Sequence, residues 1–133
     1  MKHFYITIPG LLAVLALAAC SWIAGPDIEK TVSIDAQDST LVITNESDVT
    51  VYYWTIERET MNYVDWVPCD DPDECRDIAI EPGSFKEIPY ADIQGWSSGA
   101  TVVVTLWYLK RAFFTESGYE IAGGKSVEIV TPN

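Results

Sequence analysis

The chain reads as an all-β protein, an immunoglobulin/fibronectin-like β-sandwich of about seven or eight strands following a cleaved leader. Three observations predict this. Short runs that alternate apolar and polar residues, or are rich in Val, Ile, Thr and Tyr, recur throughout residues 30–133. Clusters of Asn, Asp, Ser, Gly and Pro separate those runs and punctuate the chain as turns. After residue 19, no stretch places apolar residues at the 3.6-residue spacing of an amphipathic helix. A partly open barrel is the alternative arrangement of the same strands.

Residues 30–35 (K-T-V-S-I-D) put Val32 and Ile34 on one face and suggest an edge strand. Residues 40–44 are a second β-branched run. Asn45-Glu46-Ser47-Asp48 marks a turn, and residues 50–58 complete a predicted hairpin. In that third strand Tyr52, Trp54 and Ile56 share one face, with Trp54 the expected core tryptophan. Val51, Tyr53, Thr55 and Glu57 share the other. Residues 62–67 suggest a short strand before the loop 68–75. Strand pattern resumes at 76–80, turns at Glu81-Pro82-Gly83-Ser84 and continues through 85–88. A longer loop spans 90–99. Residues 101–109 form the clearest central strand, with Val102, Val104, Leu106 and Tyr108 on one face. Residues 113–120 are ambiguous, Gly123-Gly124 reads as a turn, and 126–131 reads as the last strand. The paired cysteines that bridge antibody sheets are not present at the corresponding strands, so an antibody-type domain is not expected.

Charge and composition narrow the function classes. All twenty Asp and Glu lie after residue 19, against seven of the eight Lys and Arg, a formal 7 − 20 = −13 for residues 20–133. Such a surface lacks the cations that displace counterions from phosphates, so no nucleic-acid partner is expected. It also disfavours adhesion to anionic lipid through protein charge. The single histidine is His3. Residues 20–133 therefore hold no imidazole, which removes the commonest general base and the Ser-His and Cys-His pairs, and an enzyme is not expected.

Residues 1–19 have the parts of a secretory signal: Lys2 as the basic start, an apolar run from Phe4 to Leu17, then small residues. Leu17-Ala18-Ala19-Cys20 resembles the lipobox of bacterial lipoproteins. That resemblance implies cleavage before Cys20 and acylation of its thiol, with palmitate or related chains holding the protein to a membrane. Ser21 rather than Asp after the cysteine implies, by the same resemblance, the outer membrane of a diderm cell. Ala16-Leu17-Ala18 offers a competing cleavage site, and the run extended to Ala24 offers a spanning helix that Pro9-Gly10 interrupts. Residues 20–29, with Gly25-Pro26, read as a short tether and 30–133 as one domain. Once Cys20 is assigned to lipid, Cys69 and Cys75 are left as a disulfide in an oxidising compartment. The segments N-E-S-D-V-T-V-Y-Y-W, W-V-P-C and E-P-G-S-F-K-E-I-P-Y are similar to small uncharacterised lipoproteins of bacterial envelopes, which implies a lipid-anchored single domain and no particular activity.

Two candidate sites stand out. Asp70, Asp71, Asp73 and Glu74 crowd a small ring and make a calcium candidate, although the EF-hand glycine and distal glutamate are missing. Tyr53 and Trp107, placed on an outer sheet face, and Trp66 and Trp96, on loops, are candidate contacts for a protein partner or a glycan. Glu57 and Glu59 are the pair closest to a glycosidase arrangement, but they read as the wet face of a strand. The sequence thus points to a lipid-anchored envelope protein that binds another envelope protein. A glycan- or calcium-binding module is the alternative.

Overall fold

The computed structural model describes residues 25–133. The leader and Cys20 lie outside the described residues. The domain is a sandwich of two antiparallel sheets, as the alternating pattern predicts. One sheet has the order β1 (Val32–Ala36), β2 (Thr40–Asn45), β5 (Phe85–Pro89). The other has the order β4 (Ala79–Ile80), β3 (Val51–Glu57), β6 (Thr101–Arg111), β7 (Tyr119–Val130). The segment read as a tether is structured in its last residues. Ile28–Thr31 forms one helical turn ahead of β1, and Ile28 is buried in the core.

The core lies between the sheets. Val32, Leu41, Ile43 and Ile88 project from the three-stranded sheet onto Val51, Val102, Val104 and Leu106 of the other. Each strand contributes every second residue, the direct consequence of the two-residue strand period. The alternation in β6 therefore gives its inner face correctly. In β3 it does not, because both faces are apolar. Val51 and Tyr53 pack against the inter-sheet core, whereas Tyr52 and Trp54 pack with Trp107 on the opposite side. Trp54 is not the core tryptophan, and Tyr53 does not project from the outer face.

Three further expectations are corrected. Residues 40–45 and 51–57 do not form a hairpin: β2 pairs with β1 and β5, and β3 with β4 and β6. The turn between them crosses from one sheet to the other. Its pivot is Asn45, fully buried, whose side-chain NH₂ donates to the Val49 carbonyl (2.8 Å) and the Ile80 carbonyl (2.9 Å). Its carbonyl oxygen accepts from the Ser47 backbone N–H (3.0 Å) and hydroxyl (2.6 Å). Residues 62–67 are not a strand; a 3-10 turn at Thr60–Tyr63 leads into an extended strap. Gly123-Gly124 does not turn the chain but lies within β7, at a register shift opposite Tyr108 and Leu109. A Cβ at Gly124 would sit 2.5 Å from the Leu106 carbonyl oxygen, and one at Gly123 would sit 2.9 Å from the Tyr108 ring. Glycine is there because β6 approaches too closely for anything larger.

The register fixes two ends. At one end are the β2–β3 corner, the β4–β5 turn and the β6–β7 tip (Thr44 pairs with Phe85, Val51 with Ile80, Arg111 with Tyr119). Gly25 lies at this end too, with Gly25 and Pro26 against Tyr108, Leu109 and Lys110. The other end holds the β1–β2 turn, the segment after β3 and the loop before β6 (Ala36 pairs with Leu41, Glu57 with Val102, Thr101 with Val130).

Candidate functional site

The predicted aromatic residues do not share a surface. Trp107 does sit on the outer face of the four-stranded sheet, but it is only 2% exposed. The strap of residues 64–75 runs over it. Trp66 of the strap stacks on Trp54 at 4.1 Å between ring centroids and meets Trp107 edge-on at 5.4 Å. The Trp107 indole N–H donates to the Cys69 carbonyl at 2.9 Å. Cys69 and Cys75 form a disulfide, with Cα atoms 5.9 Å apart, and Cys75 is buried beside Trp107. Closing so short a ring restricts the unfolded chain by roughly 2–3 kcal/mol. The disulfide and the tryptophans thus form a second, smaller core. Trp96 is elsewhere: it packs on Tyr90 (5.5 Å) at the other end and donates to the Thr131 hydroxyl (2.9 Å). Both indole N–H groups are satisfied internally, as buried tryptophans require.

The acidic loop is likewise corrected as a metal candidate. Asp70, Asp71 and Glu74 border a shallow depression with Glu116 and Ser117. Among the described residues, however, no three carboxylate, thiol or imidazole groups come close enough to hold an ion. The local bonds show why. Asp71 accepts the Asp73 backbone N–H, and Asp73 turns outward to Arg76 at 3.3 Å. Asp71 and Asp73 thus serve the loop's own turn rather than converging on a common point.

What the sequence left unnoticed is the segment immediately after β3. Glu57 accepts the backbone N–H groups of Glu59 (2.9 Å) and Thr60 (2.8 Å) and the Thr60 hydroxyl (2.8 Å). These bonds pin the chain where it leaves the sheet and set the following 3-10 turn. Arg58 reaches across β6 to Glu128 of β7 at 3.6 Å. Around this pair lies an open depression of about 500 Å³ lined by Arg58, Glu59, Met61, Asn62, Tyr63 and Glu128. Tyr63 stands 88% exposed at its rim, and Met61 is also exposed. An exposed Tyr and Met with Arg and Asn alongside is the composition enriched at protein-binding surfaces. The depression offers the Arg58 cation, the Asn62 amide and the Tyr63 ring beside the Glu59 and Glu128 carboxylates.

Glu57 also has a pH signature. The donors from Glu59 and then Thr60 hold its carboxyl below the usual glutamate range. A group depressed in the folded state contributes stability above its unfolded pKa and loses it as pH falls through the folded value. The Glu57 carboxyl is therefore expected to titrate below the usual glutamate range in an NMR titration, and Glu57→Gln to lose that part of the acid dependence of unfolding. A Glu57 titration at the ordinary glutamate position would contradict the hydrogen-bonded geometry.

No protein-family model, curated protein or solved structure matches the chain.

Proposed function

We propose that the protein is a lipid-anchored accessory protein of the cell envelope that binds another envelope protein and carries out no chemistry of its own. The observation that carries this reading is the polarity of the domain. Gly25, the first described residue and five positions after the lipobox cysteine, lies beside Tyr108 and Lys110. The Arg58–Tyr63 depression lies at the opposite end. An anchor at Cys20 thus leaves the depression facing away from the lipid, where a partner reaches it. The lipobox resemblance, the disulfide suited to an oxidising compartment and the lack of imidazole after His3 support the same reading.

The test is photo-crosslinking in cells with p-benzoyl-phenylalanine at position 63 of the full chain. One discrete envelope-protein adduct at position 63, reduced when Arg58→Glu is added, is the expected result. Adducts of many sizes, or none at all, would remove the adaptor reading. Cleavage and acylation at Cys20 are read separately from the mass of the N-terminal peptide.

A further inference from the structure

The β6–β7 hairpin is longer than the sheet needs. β3 pairs with β6 only as far as Trp107, yet β6 and β7 stay paired to Arg111 and Tyr119. A two-stranded ribbon therefore projects beyond the sandwich. Its tip carries Phe113 and Phe114, 95% and 101% exposed. The tip is nevertheless built rather than loose. The Ala112 N–H donates to the Gly118 carbonyl (3.0 Å), and the Gly118 N–H to the Thr115 carbonyl (3.2 Å). The Thr115 hydroxyl donates to the Tyr119 carbonyl (2.8 Å). The Ser117 hydroxyl ties the tip to the Asp70 carbonyl (3.2 Å). Behind the phenylalanines, Lys110 pairs with Glu120 at 3.1 Å and the Arg111 guanidinium lies over the Tyr119 ring at 5.0 Å. Two adjacent, fully exposed Phe side chains have no function inside the fold.

Their position suggests the occupant. Gly25 and Pro26 lie against Lys110 near the base of the same ribbon. From Lys110 to the turn residue Phe113 the chain advances at most about 10 Å. The five peptide steps from Cys20 to Gly25 reach up to about 18 Å. We propose that the Phe113-Phe114 tip inserts into the interfacial zone of the lipid surface that holds Cys20, as a second contact that fixes the domain upright. The inference rests on the lipid-anchor reading above. Aromatic rings leading, with Lys and Arg stems behind, suit the boundary between headgroups and acyl chains. The exposed carboxylates Glu46, Asp48, Glu81 and Glu116 at this end outnumber Lys110 and Arg111, so the surface is one of zwitterionic headgroups rather than anionic ones.

The full chain, produced in cells and reconstituted into phosphatidylcholine vesicles with clickable acyl chains, tests this with p-benzoyl-phenylalanine at position 114. The expected result is a lipid adduct at position 114 at least about tenfold above that at position 63 on the far end. Trypsin cleavage after Lys110 and Arg111 on the vesicles should rise severalfold in a Phe113→Ser/Phe114→Ser variant, which alters only exposed side chains. Acylated, vesicle-bound protein with no lipid adduct at 114, or with a protein or self-adduct there, overturns the tip contact and leaves the anchor intact. Protein that lacks acyl mass at Cys20 and does not bind vesicles overturns the anchor and the tip contact together.

Discussion

Asn45→Ala is expected to destabilise the domain by about 3–4 kcal/mol, since it removes four hydrogen bonds, three of them buried, worth roughly 1 kcal/mol each and strips partners from groups that water cannot easily reach. The side chain links three segments that share no ladder at this point. These are the end of β2, the corner at Ser47 and Val49, and the Ile80 carbonyl of β4 in the opposite sheet. No apolar residue replaces that link, because the Ile80 carbonyl would lose its side-chain donor and the Val49 carbonyl would keep only the Ser47 hydroxyl at 3.1 Å. Asn45→Asp retains the acceptor half but turns a second oxygen toward two carbonyl oxygens, and at neutral pH it should be no better than alanine. Urea unfolding of both variants is the measurement. A loss below about 1 kcal/mol for Asn45→Ala would mean the corner is held by its backbone bonds alone. The surrounding Asn45-Glu46-Ser47 matches a glycosylation acceptor pattern, but both amide protons are engaged inside the fold.

Trp107→Ala is expected to cost about 3–5 kcal/mol, the range for emptying a buried indole, and to lower the melting temperature by roughly 12–20 °C for a domain of this size. It deletes the stack on Tyr52 (6.2 Å) and the edge contact to Trp66, and leaves the Cys69 carbonyl without its donor. Trp107→Phe should recover most of the packing but not the hydrogen bond. Thermal unfolding followed by near-ultraviolet circular dichroism reads both stability and the order of the tryptophan cluster. If alanine costs under about 1.5 kcal/mol, the strap is not seated on Trp107 and the disulfide alone holds it.

How legible this was in the sequence differs by element. Alternation located β1, β2, β3, β5 and β6 to within about two residues, because each buries one face against the other sheet. Alternation carries no information about which strand is the neighbour. The β2–β3 corner has the residues of a hairpin turn and differs only in pointing Asn45 inward, which is visible once Ile80 is known to lie beside it. The inner face of β3 was unreadable for a different reason. A strand covered on both sides needs apolar residues on both, and Tyr52 and Trp54 are the bulkier set because the strap, not the sheet, covers them. The glycine pair in β7 was misread as punctuation, since a close approach and a turn both demand a residue without a side chain. The Arg58–Tyr63 depression had no sequence signal beyond an unremarkable R-E-T-M-N-Y; it follows from Glu57 ordering the chain after β3. The disulfide was legible once the lipobox resemblance set Cys20 apart from Cys69 and Cys75.

Lys125 has a consequence for how copies of the domain meet. β7 is a twelve-residue strand on the open margin of its sheet, the longest free run of peptide groups in the domain. Such a margin is a template on which a neighbouring chain adds a strand. The Lys125 ammonium reaches from β7 to the carbonyls of Glu29 (3.4 Å) and Val32 (3.0 Å), drawing the first sheet alongside it. The register shift just before it breaks the even spacing of N–H and C=O groups, and Glu120 and Glu128 place charge on either side. Under the lipid anchoring proposed above, copies of the domain would meet one another far more often than in free solution. A margin that is kinked, charged and partly covered lets copies of this domain collide there without polymerising.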